Sequence, residues 1–567
     1  MASKKKYGVI AVAAGIVLVV CLACFEKAFN AKWRIADDVK KLKFSNESGF
    51  YDNEFDLSIT SFGGKIYYTL DSSTPTVDSL EYTGPIHIGD ASENENVYSM
   101  REDTSAGFRS DLIEKYSLEP DPGYEVPDYK VDKCTVVRAI AVYPDGSTSE
   151  VKTASYFVDF DEKPGYDNYN YVSVVIDPKD LFDYENGIYV TGKRFDEFLD
   201  SGAIETRERP YWYQWNANYS KENTIEKIAN VQFFDTSGEL LLSQRCGVDI
   251  SGSGSRGFYP KGLNLSSGRE IDGHDEFVVD LTGDGLYTSK YTLFSGGNDI
   301  YSRAKDCICS KLTRGMNFAT TSYIPYIMFL DGEYWGVYFL VDKVDKDYLR
   351  YFYGVGKTNL LMMKDYRVTV GEEADRDIWL DFYMNIPPDL SGQDEYNFIK
   401  SEVDIDSAID YFAVLCYISR GRDWPNSNLG MWRSKKIKGD KYSDGRWRFV
   451  LYDVNSSSID IGLEKYDSIE HAMMENPIFG ALMTNDEFKA RFLDKMMELR
   501  ENQFSKENVD GVIAEITNLM SEPMKYHNKR FFGGEPEGHA YLDEMKAIND
   551  FFDARRDYIP ELVEKYR

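Results

Sequence analysis

The period of the apolar positions changes along this chain. Between residues 44 and 159 they alternate with polar ones or gather in short β-rich runs, as in Lys65-Ile66-Tyr67-Tyr68-Thr69-Leu70 and Cys134-Thr135-Val136-Val137-Arg138-Ala139-Ile140-Ala141-Val142-Tyr143. Turn clusters such as Asp71-Ser72-Ser73-Thr74-Pro75 and Pro144-Asp145-Gly146 separate the runs, which predicts an all-β module. A polar insertion, about residues 91–131, interrupts it, and Pro120, Pro122 and Pro127 predict a loop there. Charge, Pro and Gly coincide over 160–167, the expected linker. From Tyr171 the pattern mixes periods: 172–176 and 326–330 predict strands, 302–312 and 405–418 predict helices. Helical spacing dominates after about residue 463, over 486–500 and 541–566, and Ser505 is expected to cap a helix reaching Met520.

The amino terminus carries a different signal. Lys4, Lys5 and Lys6 precede an uncharged run over 7–25, close to the ~17–25 residues that span a bilayer. The positive-inside rule keeps the lysines in the cytoplasm, so residues 1–30 are expected to be a single-pass signal anchor, with the rest at the cell surface. A cleaved signal peptide and a secreted product are the alternative, since Ala23 and Ala28 are small residues of the right kind. The patterns together predict an α+β protein with a membrane helix, a small β-sandwich and a larger mixed domain whose carboxyl-terminal part is helical.

Composition narrows the function classes. A chain of 567 residues exceeds one ordinary core. With 65 Lys and Arg against 95 Asp and Glu, the net charge of −30 argues against nucleic-acid binding, and any nucleotide site must be locally basic or bridged by metal. Beyond the amino-terminal run there are five cysteines, an odd number expected to stay as buried free thiols. Cys307-Ile308-Cys309 is too tight for a zinc pair, and the five histidines form no metal-binding pair at helical spacing.

Candidate chemistry gathers in Arg422-Asp423-Trp424-Pro425-Asn426-Ser427-Asn428 and Trp447-Arg448-Phe449-Val450-Leu451-Tyr452-Asp453. In a protein-kinase catalytic loop an Asp five residues before an Asn orients the attacking hydroxyl. The Asn and a later Asp, at the end of a hairpin, hold Mg²⁺. Asp423, Asn428 and Asp453 follow that order, although Asp and Asn also serve as turn and cap residues. The alternation of Trp447, Phe449 and Leu451 predicts a strand with one buried face. Gly252-Ser253-Gly254-Ser255-Arg256-Gly257 fits G-x-G-x-x-G, as a phosphate-covering loop or as a plain flexible turn. Lys261 and Lys364 are equal candidates for a phosphate-neutralising cation. Asp342, ending an apolar strand, is expected to be structural.

These blocks, with Asp331-Gly332-Glu333-Tyr334-Trp335-Gly336 between them, occur in an order that resembles the spore-coat protein H (CotH) kinase family over about residues 168–567. The β module over 44–159 resembles the immunoglobulin-like domain at the carboxyl end of chitobiases. The resemblance implies a remote protein-kinase-like fold and transfer of the ATP γ-phosphate to hydroxyls of an extracytoplasmic protein, with Mg²⁺ or Mn²⁺. Asp423 is then the catalytic residue. Gly252, Gly254, Arg256, Lys261 and Lys364 bind ATP, and Asn428, Asp453 and Asn455 hold the metal. Two positions depart from the family pattern: Gly262 replaces a second lysine, and Asn455 replaces the second carboxylate of an Asp-x-Asp. Asn455 supports a rival reading, a catalytically inert surface scaffold whose 42 tyrosines and 8 tryptophans bind cell-wall glycan or protein.

Overall fold

The computed structural model describes residues 42–116, 123–160, 163, 165–206, 216–223, 225–420, 424–425, 427–455, 459 and 462–567. They divide into two compact units, Met1–Ala91 with Cys134–Phe160, and Ser92–Lys133 with Asp161–Arg567.

In the first unit a five-stranded sheet runs in the order Gly49–Tyr51, Lys152–Val158, Thr135–Val142, Lys65–Thr69, Leu80–Glu81. Two small sheets accompany it, Lys43–Phe44 with Ile59–Thr60 and Phe55–Leu57 with Ile86–Ile88. Leu57, Ile59, Ile88, Val137, Ala139 and Tyr156 form its core. The polar insertion belongs elsewhere. Residues 92–133 pack with the second unit, where the Glu333 carboxylate accepts the backbone N–H groups of Val97 and Ser99, and Tyr334 N–H donates to the Asp132 carbonyl at 2.9 Å. A carboxylate that gathers backbone donors satisfies groups that a loop would otherwise leave unpaired.

Seven strands of the second unit close into a barrel: Asn170–Ile176, Lys227–Phe234, Leu240–Ile250, Leu263–Ser266, Lys290–Phe294, Glu333–Asp342 and Tyr323–Leu330. The period of two puts Val174, Phe233, Val248, Leu265, Leu293 and Leu340 inside. The other face of the wall sends Phe339 and Val341 into a second core. That core is shared with the helices Lys305–Thr313, Ile405–Tyr417, Asp486–Glu501, Lys506–Phe532 and Tyr541–Tyr566. A second sheet, ordered Ala319–Thr320, Arg448–Leu451, Gly430–Ser434, Leu360–Lys364, Arg367–Val370, also packs there.

Three expectations change. The expected architecture headed by a membrane anchor is corrected: the described residues are α+β, and no helix among them is long and apolar enough to cross a membrane. The longest of them carry charges on their outer faces, and the run over 7–25 lies outside the described residues. The helix after Ser505 continues past Met520, through Pro523, to Phe532. Met524, His527 and Phe531 beyond Met520 are buried, the helix packs against the strand Glu333–Asp342, and Gly533 ends it at φ 69°. The Ser505 side chain makes no capping bond. Lastly, Arg448–Leu451 is buried on both faces, because Arg448 pairs with Asp404 at 2.9 Å and Asp444 at 2.8 Å. All five described cysteines are free and buried.

Candidate active site

The site lies where strands of the second sheet end. Lys364 is in register with Gly430, which is in register with Val450, so the chain leaves three neighbouring positions through Asp365, Asn428 and Tyr452-Asp453. Asp365, Asn428 and Asp453 all have left-handed backbones, φ 50°, 59° and 56°. Asp and Asn tolerate that region better than most residues, and such conformations gather at functional sites. Gly430 is required by the same packing: a Cβ there would lie 2.7 Å from the Tyr452 ring. The Asp365 carboxylate accepts the Leu429 N–H at 3.1 Å and so ties the turn holding Asn428 to the strand holding Lys364. Burial raises the Asp365 pKa. The Lys364 ammonium sits 3.9 Å from the centre of the Tyr452 ring. Burial lowers the Lys364 pKa, against the pull of Asp453 and Asp365. Lys364, Asn428 and Asp453, far apart in sequence, are thereby brought together.

Behind Asp453 is a buried acid that no local motif indicates. Asp306, on the helix Lys305–Thr313, accepts the Val454 N–H at 2.8 Å and the Asn455 Nδ2 at 2.8 Å. Burial, reinforced by the charge of Asp453, pushes its pKa up to about 7. Asn455 Nδ2 also donates to Asp453 Oδ1 at 2.9 Å, while its Oδ1 accepts the Asn298 N–H at 3.1 Å. Those partners assign the amide orientation: reversed, its oxygen would face two carboxylates and its NH₂ would face a donor.

The glycine loop is organised differently. Gly252, at φ 91°, opens it, and Gly254–Gly257 forms a 3₁₀ turn. Arg256 Nε donates to the Gly252 carbonyl at 2.6 Å, and the side chain lies 3.7 Å from Asp249. Lys261, fully buried, donates to the carbonyls of Arg256 at 2.6 Å and Phe258 at 3.2 Å, with its ammonium 3.6 Å from the centre of the Tyr219 ring. Both cations therefore hold the loop's own backbone. Lys343, which spacing did not single out, lies on the outer barrel face. Its ammonium donates to Asn264 Oδ1 at 2.7 Å, and burial brings its pKa down to about 8, within electrostatic reach of Lys364 and Asp249. Its one sequence signal is its place after the wholly buried strand Glu333–Asp342. Asp342 itself accepts the Ser322 N–H at 2.6 Å, and burial pushes its pKa up to about 7.

Asp423 lies outside the described residues. The following Trp424 is buried, donates to the Tyr411 hydroxyl at 3.1 Å and offers its carbonyl to His471 Nε2 at 2.6 Å.

The donor chemistry suits a hard cation in part. Asp453 and Asn428 are both half-buried and offer carboxylate and amide oxygens of the kind Mg²⁺ takes alongside water and phosphate. Asn455 does not fit, because its oxygen is turned to Asn298. Among the described residues no group of three or more His, Cys, Asp or Glu forms a metal cage.

Two family models match the chain. One, described as CotH kinase protein, covers residues 248–559, more than half of the chain. The other, described as Fn3 associated, covers residues 56–156. No curated protein matches.

Proposed function

We propose that this chain, which belongs to the CotH kinase protein family, transfers the γ-phosphoryl group of ATP to a hydroxyl of an extracytoplasmic protein, using Mg²⁺ or Mn²⁺. The observation that carries this reading is the convergence of Lys364, Asn428 and Asp453 at the ends of one sheet. Lys364 would orient phosphate oxygens, with Lys343, which donates to Asn264 Oδ1, as a second cation near it, whereas Arg256 and Lys261 are bonded within the loop. Asp453 and Asn428 would hold the cation, which when bound offsets phosphate charge as the transferring group loosens. Asp423 keeps the role the loop spacing gives it: to accept or orient the proton of the attacking hydroxyl, a contribution of typically ~10²–10⁴-fold. Full-length protein incubated with γ-labelled ATP and Mn²⁺ should label itself or a protein substrate, and Asp453→Ala and Asp423→Ala should each abolish that labelling. Undiminished labelling in both variants would sink the proposal.

A second reading has its own support. The Asn455 amide turns away from a metal, and both loop cations are spent inside the fold, as suits an inert kinase-like surface scaffold for glycan or protein. Calorimetry with ATP and Mn²⁺ separates the two readings: absence of heat at millimolar nucleotide favours the scaffold.

A further inference from the structure

The contacts around Asn455 give Asp306 a role that neither the loop spacing nor the family match assigns. Its carboxylate is buried and accepts two donors from one two-residue segment, the Val454 backbone N–H and the Asn455 side-chain amide, both at 2.8 Å. The same amide nitrogen reaches Asp453 Oδ1 at 2.9 Å. One NH₂ group therefore bridges two carboxylates, and its oxygen is fastened at 3.1 Å to the Asn298 N–H. Space is closed around it: a Cβ on Gly297 would come within 3.1 Å of the Asn455 oxygen.

We infer that Asp306 is a positioning residue: it fixes Val454 and Asn455, and through them the direction of the Asp453 carboxylate. The inference rests on the reading of Asp453 as a ligand for the phosphate-bridging cation. Its physical ground is donor and acceptor count. Only a carboxylate at 306 supplies an acceptor oxygen to each of the two donors, whereas an amide there must turn its own NH₂ toward one of them. Only an NH₂ at 455 can satisfy both acids, whereas a carboxylate there would face two others. Exchanging the two side chains restores one match: an amide at 306 accepts from Val454 with its oxygen and donates to a carboxylate at 455.

The test compares the full-length wild type with Asp306→Asn, Asn455→Asp and the exchanged double variant. Melting temperature is measured without metal, and Mn²⁺ affinity by calorimetry on folded protein. Asp306→Asn should weaken Mn²⁺ binding about 10–100-fold, as loss of a ligand-orienting partner does. Asn455→Asp should melt below the wild type, and the double variant should melt above Asn455→Asp, because the exchange relieves the contact with residue 306 and leaves only that with Asp453. A purely structural role would lower the melting temperature of Asp306→Asn and leave its Mn²⁺ affinity unchanged, which overturns the inference. So does a double variant no more stable than Asn455→Asp, the deciding comparison if Asp306→Asn does not fold. A wild type that binds no Mn²⁺ defeats the cation reading of Asp453 as well, whereas unchanged Mn²⁺ binding in Asp306→Asn defeats the positioning role alone.

Discussion

The two charged clusters of the second unit are built in opposite ways. In the glycine loop, Arg256 and Lys261 turn inward and donate to carbonyls of their own segment. At the sheet ends, Lys364 and Asp453 remain half-buried beside one another, backed by Asp306 and Asn455. A cation bonded to buried carbonyls stabilises a turn and has little charge left to offer a phosphate, while one held over an aromatic ring near carboxylates keeps donors free. Charge in a motif is therefore useful only where the fold leaves it uncommitted.

The largest expected effect tests the inward cluster. Lys261→Met would strand two buried carbonyls, so the variant should lose about 2–5 kcal/mol in a urea titration. A variant of unchanged stability that loses nucleotide affinity would make Lys261 a phosphate ligand and erase the contrast. Lys364→Met should do the reverse. Calorimetry with ATP and Mn²⁺ should show affinity weakened at least tenfold, about 1.4 kcal/mol, with the melting temperature close to that of the wild type.

The last test concerns Asp342, a buried acid outside both clusters. Its folded pKa of about 7 lies above the ordinary value of 3.8, so the folded state takes up a proton as pH falls. Its contribution to stability therefore declines as pH rises from about 4 to 7 and stays unfavourable above that. Asp342→Asn removes the buried charge and can still accept from Ser322. It should melt with the wild type near pH 4.5 and above it at pH 8. An equal or lower melting temperature at pH 8 would show that the carboxylate has a partner to satisfy it.

How legible was this in the chain? The helix Tyr541–Tyr566 follows the expected bounds, and the strand Asn170–Ile176 contains the expected 172–176, because apolar spacing over several turns or a short β-rich run leaves few alternatives. Of the residues that meet at the sheet ends, Lys364, Asn428 and Asp453 were nameable from spacing, since a strand, a turn and a hairpin place them by local geometry, whereas Asp365 was not. The burial of Arg256 and Lys261 was not, because a basic residue after glycines reads the same whether it faces solvent or a carbonyl. The extension of the last-but-one helix past Pro523 was missed for a similar reason: its continuation rests on packing against the barrel, not on propensity.

Local pattern was thus enough for the type of most elements, the order of the chemical blocks and the family, since each depends on residues within a few positions of one another. Folding decided what local pattern does not encode. It joined residues 92–133 to the second unit through Glu333, more than two hundred positions away. It set Asp306 against Asn455 across about 150 residues, and it chose which lysines stay available. Those outcomes turn on the pairing of buried charges and donors, and such pairing is satisfied by whatever the closed chain brings within hydrogen-bond reach.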